Sequence, residues 1–173
     1  MQILPPETKI ALRRRTAPAS EAGLARADAA VFVIADAEPA AAISRLPHAR
    51  LWQSLHRSVR RAAKTPLLVT RLPNARQTLA AVGFLRPGAS SFERLELAGK
   101  LMSEVVKPGV VVLQCHALAF DADESAAVVE ALASAALAAA APMPQRKARP
   151  TPPSDLRAID AHGGRAADLD SAA

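Results

Sequence analysis

The chain has one cysteine, no tyrosine and seven glycines, and aromatic residues make up 3% of its 173 positions. Cys115 has no partner within the chain, so no internal disulfide can form, which suits a reducing compartment. With so few aromatics, a core has to be built from Ala, Leu and Val. The scarce glycines form neither GxGxxG nor GxxxxGK, which excludes phosphate-cradling loops of either kind. No serine stands in a nucleophile elbow, and His48, His56, His116 and His162 are scattered without an HExxH pair. No window approaches the ~18–20 consecutive apolar residues of a membrane span, and the opening MQILPPETKIALRRR lacks a signal-peptide core. A cytoplasmic protein without a membrane partner is expected.

Negative charge is also missing over a long stretch. Between Pro39 and Phe92 there is no Asp or Glu, while Arg45, Arg50, Arg57, Arg60, Arg61, Lys64, Arg71, Arg76 and Arg86 all fall there. On a helix expected over residues 47–64, Arg50, Arg57, Arg60, Arg61 and Lys64 make one broad basic face. Such a face is either solvated, docked on acidic groups of another subunit or domain, or laid on DNA phosphates. The lack of interleaved aromatics argues against stacking on single strands. The formal charge of +6 and pI near 10.4 fit any of these readings.

What is present organises itself around residues 65–106. Two short apolar runs, 66–71 and 78–85, flank Leu72-Pro73-Asn74-Ala75, which has turn chemistry because Pro fixes φ and Asn tolerates a left-handed residue. Ser90 with Glu93 three residues later is the spacing of a capping box. Phe92, Leu95, Ala98, Met102 and Val105 then recur at helical spacing as one apolar stripe. Strands are expected at 8–12, 30–35, 66–71, 78–85, 110–114 and 156–161. Helices are expected at 20–26, 47–64 with Pro47 in its first turn, from Ser90 to about 106, and at 121–142 with Asp121 as cap. Alternating strands and helices argue for an α/β fold: a mixed, mostly parallel sheet of about six strands with helices on both faces. The short link at 72–75 implies one antiparallel pair.

Two spots invite chemical readings. Cys115-His116, at the end of an expected strand, has the residue types of a nucleophile and base or of two metal ligands. Adjacent strand residues point to opposite faces, which favours a buried cysteine instead. Asp36-Ala37-Glu38 follows a buried strand, where α/β sheets often hold ligands, but no other acidic or histidine cluster completes a metal set. From the residues alone, no catalytic, cofactor or metal site is assigned.

The segment LVTRLPNARQTLAAVGFLRPGASSFERLELAGKLMSEVV resembles the N-terminal domain of the leucine aminopeptidase (cytosol aminopeptidase) family, in its bacterial branch. The residues that carry the resemblance are Leu72-Pro73-Asn74-Ala75-Arg76, Gly83-Phe84, and Ser90 with Glu93. It implies a macro-domain-like sheet spanning residues 1–162, with 163–173 beginning an interdomain linker. It further implies a hexameric parent aminopeptidase whose C-terminal domain, absent here, binds two divalent metals, Mn or Zn. The family's Asn-Thr-Asp-Ala-Glu-Gly-Arg signature does not occur in this chain. Asp36-Ala37-Glu38 echoes three of its letters in different surroundings and takes no ligand role. The resemblance therefore implies a non-catalytic domain serving assembly or regulation, and since some bacterial relatives bind DNA, it keeps the basic face open as a DNA surface.

Overall fold

Seven consecutive residues, AAVFVIA, are buried along their whole length, which requires a strand covered on both faces. They form β2 (Ala29–Ala35), inside a six-stranded sheet of order β1-β6-β5-β2-β4-β3. The computed structural model describes residues 9–59, 67–141 and 154–163. The remaining elements are β1 (Ala11–Arg15), α1 (Glu21–Leu24), α2 (Pro39–Ser44), α3 (Ala49–Val59), β3 (Leu68–Arg71), β4 (Leu79–Leu85), α4 (Ser91–Val105), β5 (Val112–Leu118), α5 (Ala122–Ala140) and β6 (Ala158–His162). All neighbouring strands run parallel except the β3–β4 pair.

Strand alternation splits the core in two. Val31, Val33, Ala81, Leu113, Cys115 and Ile159 face α4 and α5. Ala30, Phe32, Ile34, Ala80 and Val82 face α2 and α3, where Ile43 and fully buried Trp52 pack. The indole N–H donates to the Pro47 carbonyl at 3.1 Å, and the ring meets Phe32 edge-on at 6.3 Å. The expected α/β architecture, with helices on both faces of a mostly parallel sheet, is what forms.

Several local expectations change. The first strand lies at Ala11–Arg15, not 8–12, so the arginine run is itself a strand. It is exposed throughout because it is an edge, and Arg13 and Arg15 lean toward Asp160 of β6 at 3.9 and 3.7 Å. A helix at Pro39–Ser44 was not expected; Pro39 sits in its first turn, where a missing N–H costs nothing. Pro47 precedes α3 and does not open it, with His48 in between at φ 60°. In the 72–77 turn the left-handed residue is Gln77, at φ 50°, while Asn74 uses its side-chain oxygen to accept the Thr78 N–H at 3.1 Å. β5 is shifted to Val112–Leu118 from the expected 110–114.

The apolar stripe of α4 divides. Ala98, Met102 and Val105 are buried, but Phe92 is 75% exposed and Leu95 50%. Successive three-residue steps lag a full turn by about 60°, so Phe92 lies about 120° around the helix from Ala98. Leu101, off the expected stripe, is fully buried. Gly83 of β4 lets α4 approach closely: a Cβ there would lie 3.0 Å from methyl carbons of both Leu97 and Leu101.

Candidate functional site

At the C-terminal ends of β2 and β4, charged side chains gather around an apolar hollow. Asp36 leaves β2, its N–H donating to the Leu85 carbonyl at 2.9 Å, and Arg86 leaves β4 beside it. With Leu67, Phe84, Leu85, Glu93, Glu96, Leu97 and Lys100 they line a cleft of about 450 Å³. The floor is leucine and phenylalanine, and the rim holds two cations and three carboxylates.

Helix capping builds that rim. Ser90 caps α4, its hydroxyl accepting the Glu93 N–H at 3.3 Å, while Glu93 accepts the Ser90 N–H at 2.8 Å. The same carboxylate receives Arg86 through Nε at 3.0 Å and Nη2 at 2.9 Å. The Arg86 bonds, with those of Ser90, push the Glu93 carboxyl down to about 2. The pairing raises the pKa of Arg86, whose guanidinium is fixed in place by a bidentate contact. Lys100 pairs with Glu96 at 2.8 Å one turn apart on α4. Asp36 has no side-chain partner among the described residues. The cleft thus presents a bidentate Arg86–Glu93 ion pair above an apolar floor.

Connections diverge between β2 and β5, since β2 leads toward β3 and β4 and β5 toward β6. The cleft lies one strand away from that switch point, on the β4 side.

The other sequence candidates are placed as follows. Cys115 and His116 lie in mid-strand, not at a strand end, and point to opposite faces. Burial first, and the negative Asp160 second, push the Cys115 thiol up to about 12, so no thiolate is available. Burial, with His162 adding to it, pushes His116 down to about 3. Asp36 and Glu38 are exposed on the turn into α2. No group of three His, Cys, Asp or Glu among the described residues could hold a metal ion. Of the basic face, Arg50 and Arg57 are exposed on α3, and Arg57 Nε donates to the Gln53 carbonyl at 3.3 Å. Arg60, Arg61 and Lys64 lie outside the described residues, as do residues 164–173 of the expected linker. No helix among the described residues is long and apolar enough to cross a membrane.

Sequence reasoning did not find the cleft. Arg86 reads as part of a strand-ending Arg-Pro-Gly, and Glu93 as a helix cap. Their seven-residue separation, across a turn with Gly88 at φ 70°, is the only local signal that they meet.

The fold belongs to the class of layered α/β domains with a mixed six-stranded sheet. Among solved structures it is similar to a tomato leucine aminopeptidase variant, with a TM-score of 0.57 at 12% identity, covering 96% of this chain and 35% of that one. It is also similar to Leishmania major leucyl aminopeptidase in complex with actinonin, with a TM-score of 0.49 at 17% identity, covering 88% of this chain and 29% of that one. The likeness at such identities is one of fold, and this chain spans about a third of the length of those enzymes. No family model matches the sequence, and no curated protein matches it.

Proposed function

We propose that this chain is the non-catalytic N-terminal domain of a leucine aminopeptidase-type protein, serving its assembly or regulation. One observation carries the reading: nearly the whole chain, 96%, superposes on about a third, 35%, of a tomato leucine aminopeptidase. The Leu72–Arg76, Gly83-Phe84 and Ser90/Glu93 features add sequence support. The parent would remove N-terminal residues from peptides with two divalent metals, Mn or Zn, held by a C-terminal catalytic domain, in a cytoplasmic hexamer. The described residues of this chain do not fit such a centre, because Asp36 and Glu38 stand exposed on a turn with no third ligand. The purified chain, assayed with a leucine chromogenic amide and Mn²⁺ or Zn²⁺, is expected to give no turnover; turnover above blank overturns the non-catalytic role. Sequencing the gene past Ala173 is expected to reach an NTDAEGR-type segment, and an immediate stop codon overturns the parent.

A second reading, a DNA-binding module using the Arg-rich 50–64 stretch, is favoured by the exposure of Arg50 and Arg57 on α3 within an acid-free stretch. Each phosphate contact contributes about 0.9 to the slope of log affinity against log salt. Replacing Arg50 and Arg57 with Ala is expected to flatten that slope by about 2. A salt-independent affinity, or an unchanged slope, removes this reading.

A further inference from the structure

Ligands of open α/β sheets bind outside the carboxyl ends of the strands, and the cleft at the ends of β2 and β4 stands there. Its volume of about 450 Å³ falls within the range of small-molecule sites, roughly 300–1,000 Å³. Leu67 and Leu97 are only half-buried on its floor, beside nearly buried Phe84 and Leu85, so an apolar body laid there would still take hydrocarbon out of water. The rim sets the sign of the ligand. Arg86 gives Nε and Nη2 to Glu93, which also accepts the Ser90 N–H and hydroxyl at 2.8 and 2.7 Å. Lys100 gives its ammonium to Glu96 at 2.8 Å. Asp36 is the one charged lining residue whose side chain has no partner among the described residues. Its backbone is anchored, because its N–H donates to the Leu85 carbonyl at 2.9 Å.

We infer that this cleft binds a small organic amine in its protonated form, with the ammonium on Asp36 and the apolar body over Leu67, Phe84 and Leu97. Two cations against three carboxylates leave the lining with one net negative charge. The chain as a whole carries +6, but at physiological salt charges more than about 8 Å away are largely screened, so the carboxylates of the cleft decide the sign. An anion would have to draw Arg86 out of its bidentate pair with Glu93, whereas an ammonium finds Asp36 already free. A bare metal ion would leave the apolar floor uncovered and find no set of three ligands among the described residues. Asp36 is exposed, so the ammonium stays partly hydrated and the affinity is modest. The site belongs to this chain by itself and asks nothing of a catalytic domain.

The test is isothermal titration calorimetry of the full chain with tryptamine, with circular dichroism to confirm that each variant is folded. Tryptamine is expected to saturate the protein at millimolar concentration. Two probes divide its features: 3-indolepropionate has the same body with a carboxylate, and ethylamine has the charge without the body. Each is expected to bind about tenfold more weakly or not at all. Asp36→Asn, at an exposed position with no side-chain bond to lose, is expected to weaken tryptamine about three- to fivefold, the scale of an exposed ion pair. Asp123→Asn, exposed in the first turn of α5 and outside the cleft, is expected to change nothing. Failure of tryptamine to saturate overturns the inference. So does either probe binding as tightly as tryptamine, an Asp36→Asn protein that binds like the wild type, or an equal loss in Asp123→Asn.

Discussion

The imidazoles of His116 and His162 stack with ring centroids 4.2 Å apart and 26° between their planes. They are direct cross-strand partners on β5 and β6, and Phe32 extends the row on β2, stacked on His116 at 4.8 Å. Hydrogen bonds decide where the protons sit. The Gln114 amide donates to the Gly23 carbonyl at 3.1 Å, so its oxygen accepts from His116 Nε2–H at 3.2 Å. His162 donates from Nδ1 to the Ala17 carbonyl at 2.8 Å. His116 is held as a defined neutral tautomer, and the stacked pair acts as packing.

An acid dependence follows from that burial. The unfolded chain takes up the His116 proton near 6.5, whereas the native one resists until about 3. The unfolded state therefore binds more protons in this window. Stability from His116 is intact above 6.5 and is lost progressively as the pH falls toward 3. The slope is at most about 1.4 kcal/mol per pH unit. Urea unfolding of the wild type near pH 7 and near pH 5 should show the loss. His116→Leu should show a flatter dependence, whatever its absolute stability.

The α4 cap makes a second prediction. Ser90→Ala should cost about 1 kcal/mol in urea unfolding, and Ser90→Asp should cost less, because an aspartate oxygen caps as well. The Glu93 carboxyl, held at about 2 against an ordinary 4.5, favours the native state above 4.5 and loses that contribution as the pH falls to 2. Glu93→Gln should remove this part of the acid-unfolding profile.

Gly83→Val should destabilise by about 1–3 kcal/mol, because the new methyls meet Leu97 and Leu101 where even a Cβ would stand 3.0 Å away. Combining it with Leu101→Ala should cost less than the sum of the two single changes, since the cavity of one accepts the methyls of the other. Thermal melts of the four proteins would show this non-additivity.

Cys115 should be inert to a thiol reagent in the native protein and react fully in denaturant. It is completely buried, and burial pushes its thiol up to about 12. Reaction in the native state at the rate of a free thiol would contradict this.

Features that close within a few residues were legible in the sequence. Ser90 and Glu93 complete their capping box within four positions, and Asp121 caps α5 by accepting the Glu124 N–H at 2.8 Å. The buried run of β2 was legible because an unbroken apolar string has few other places to go. The extension of β1 over the arginine run was not, since three successive arginines argue against burial and only an edge position beside Asp160 suits them. Nor was the cleft, because Asp36 and Arg86 are fifty residues apart and meet only when β2 and β4 pair in register, Ala35 beside Leu85.

The sequence by itself determined the alternation of strands and helices, the antiparallel turn at 72–77 and the caps. These rest on backbone dihedrals and on hydrogen bonds between near neighbours. Tertiary structure alone decided the strand order, the stacking of Phe32, His116 and His162, and which part of the α4 stripe is covered. A helical pattern specifies which residues share a face, but burial depends on where neighbouring elements end. The sheet and α5 cover Ala98, Met102 and Val105 of α4 and leave Phe92 and Leu95 in solvent.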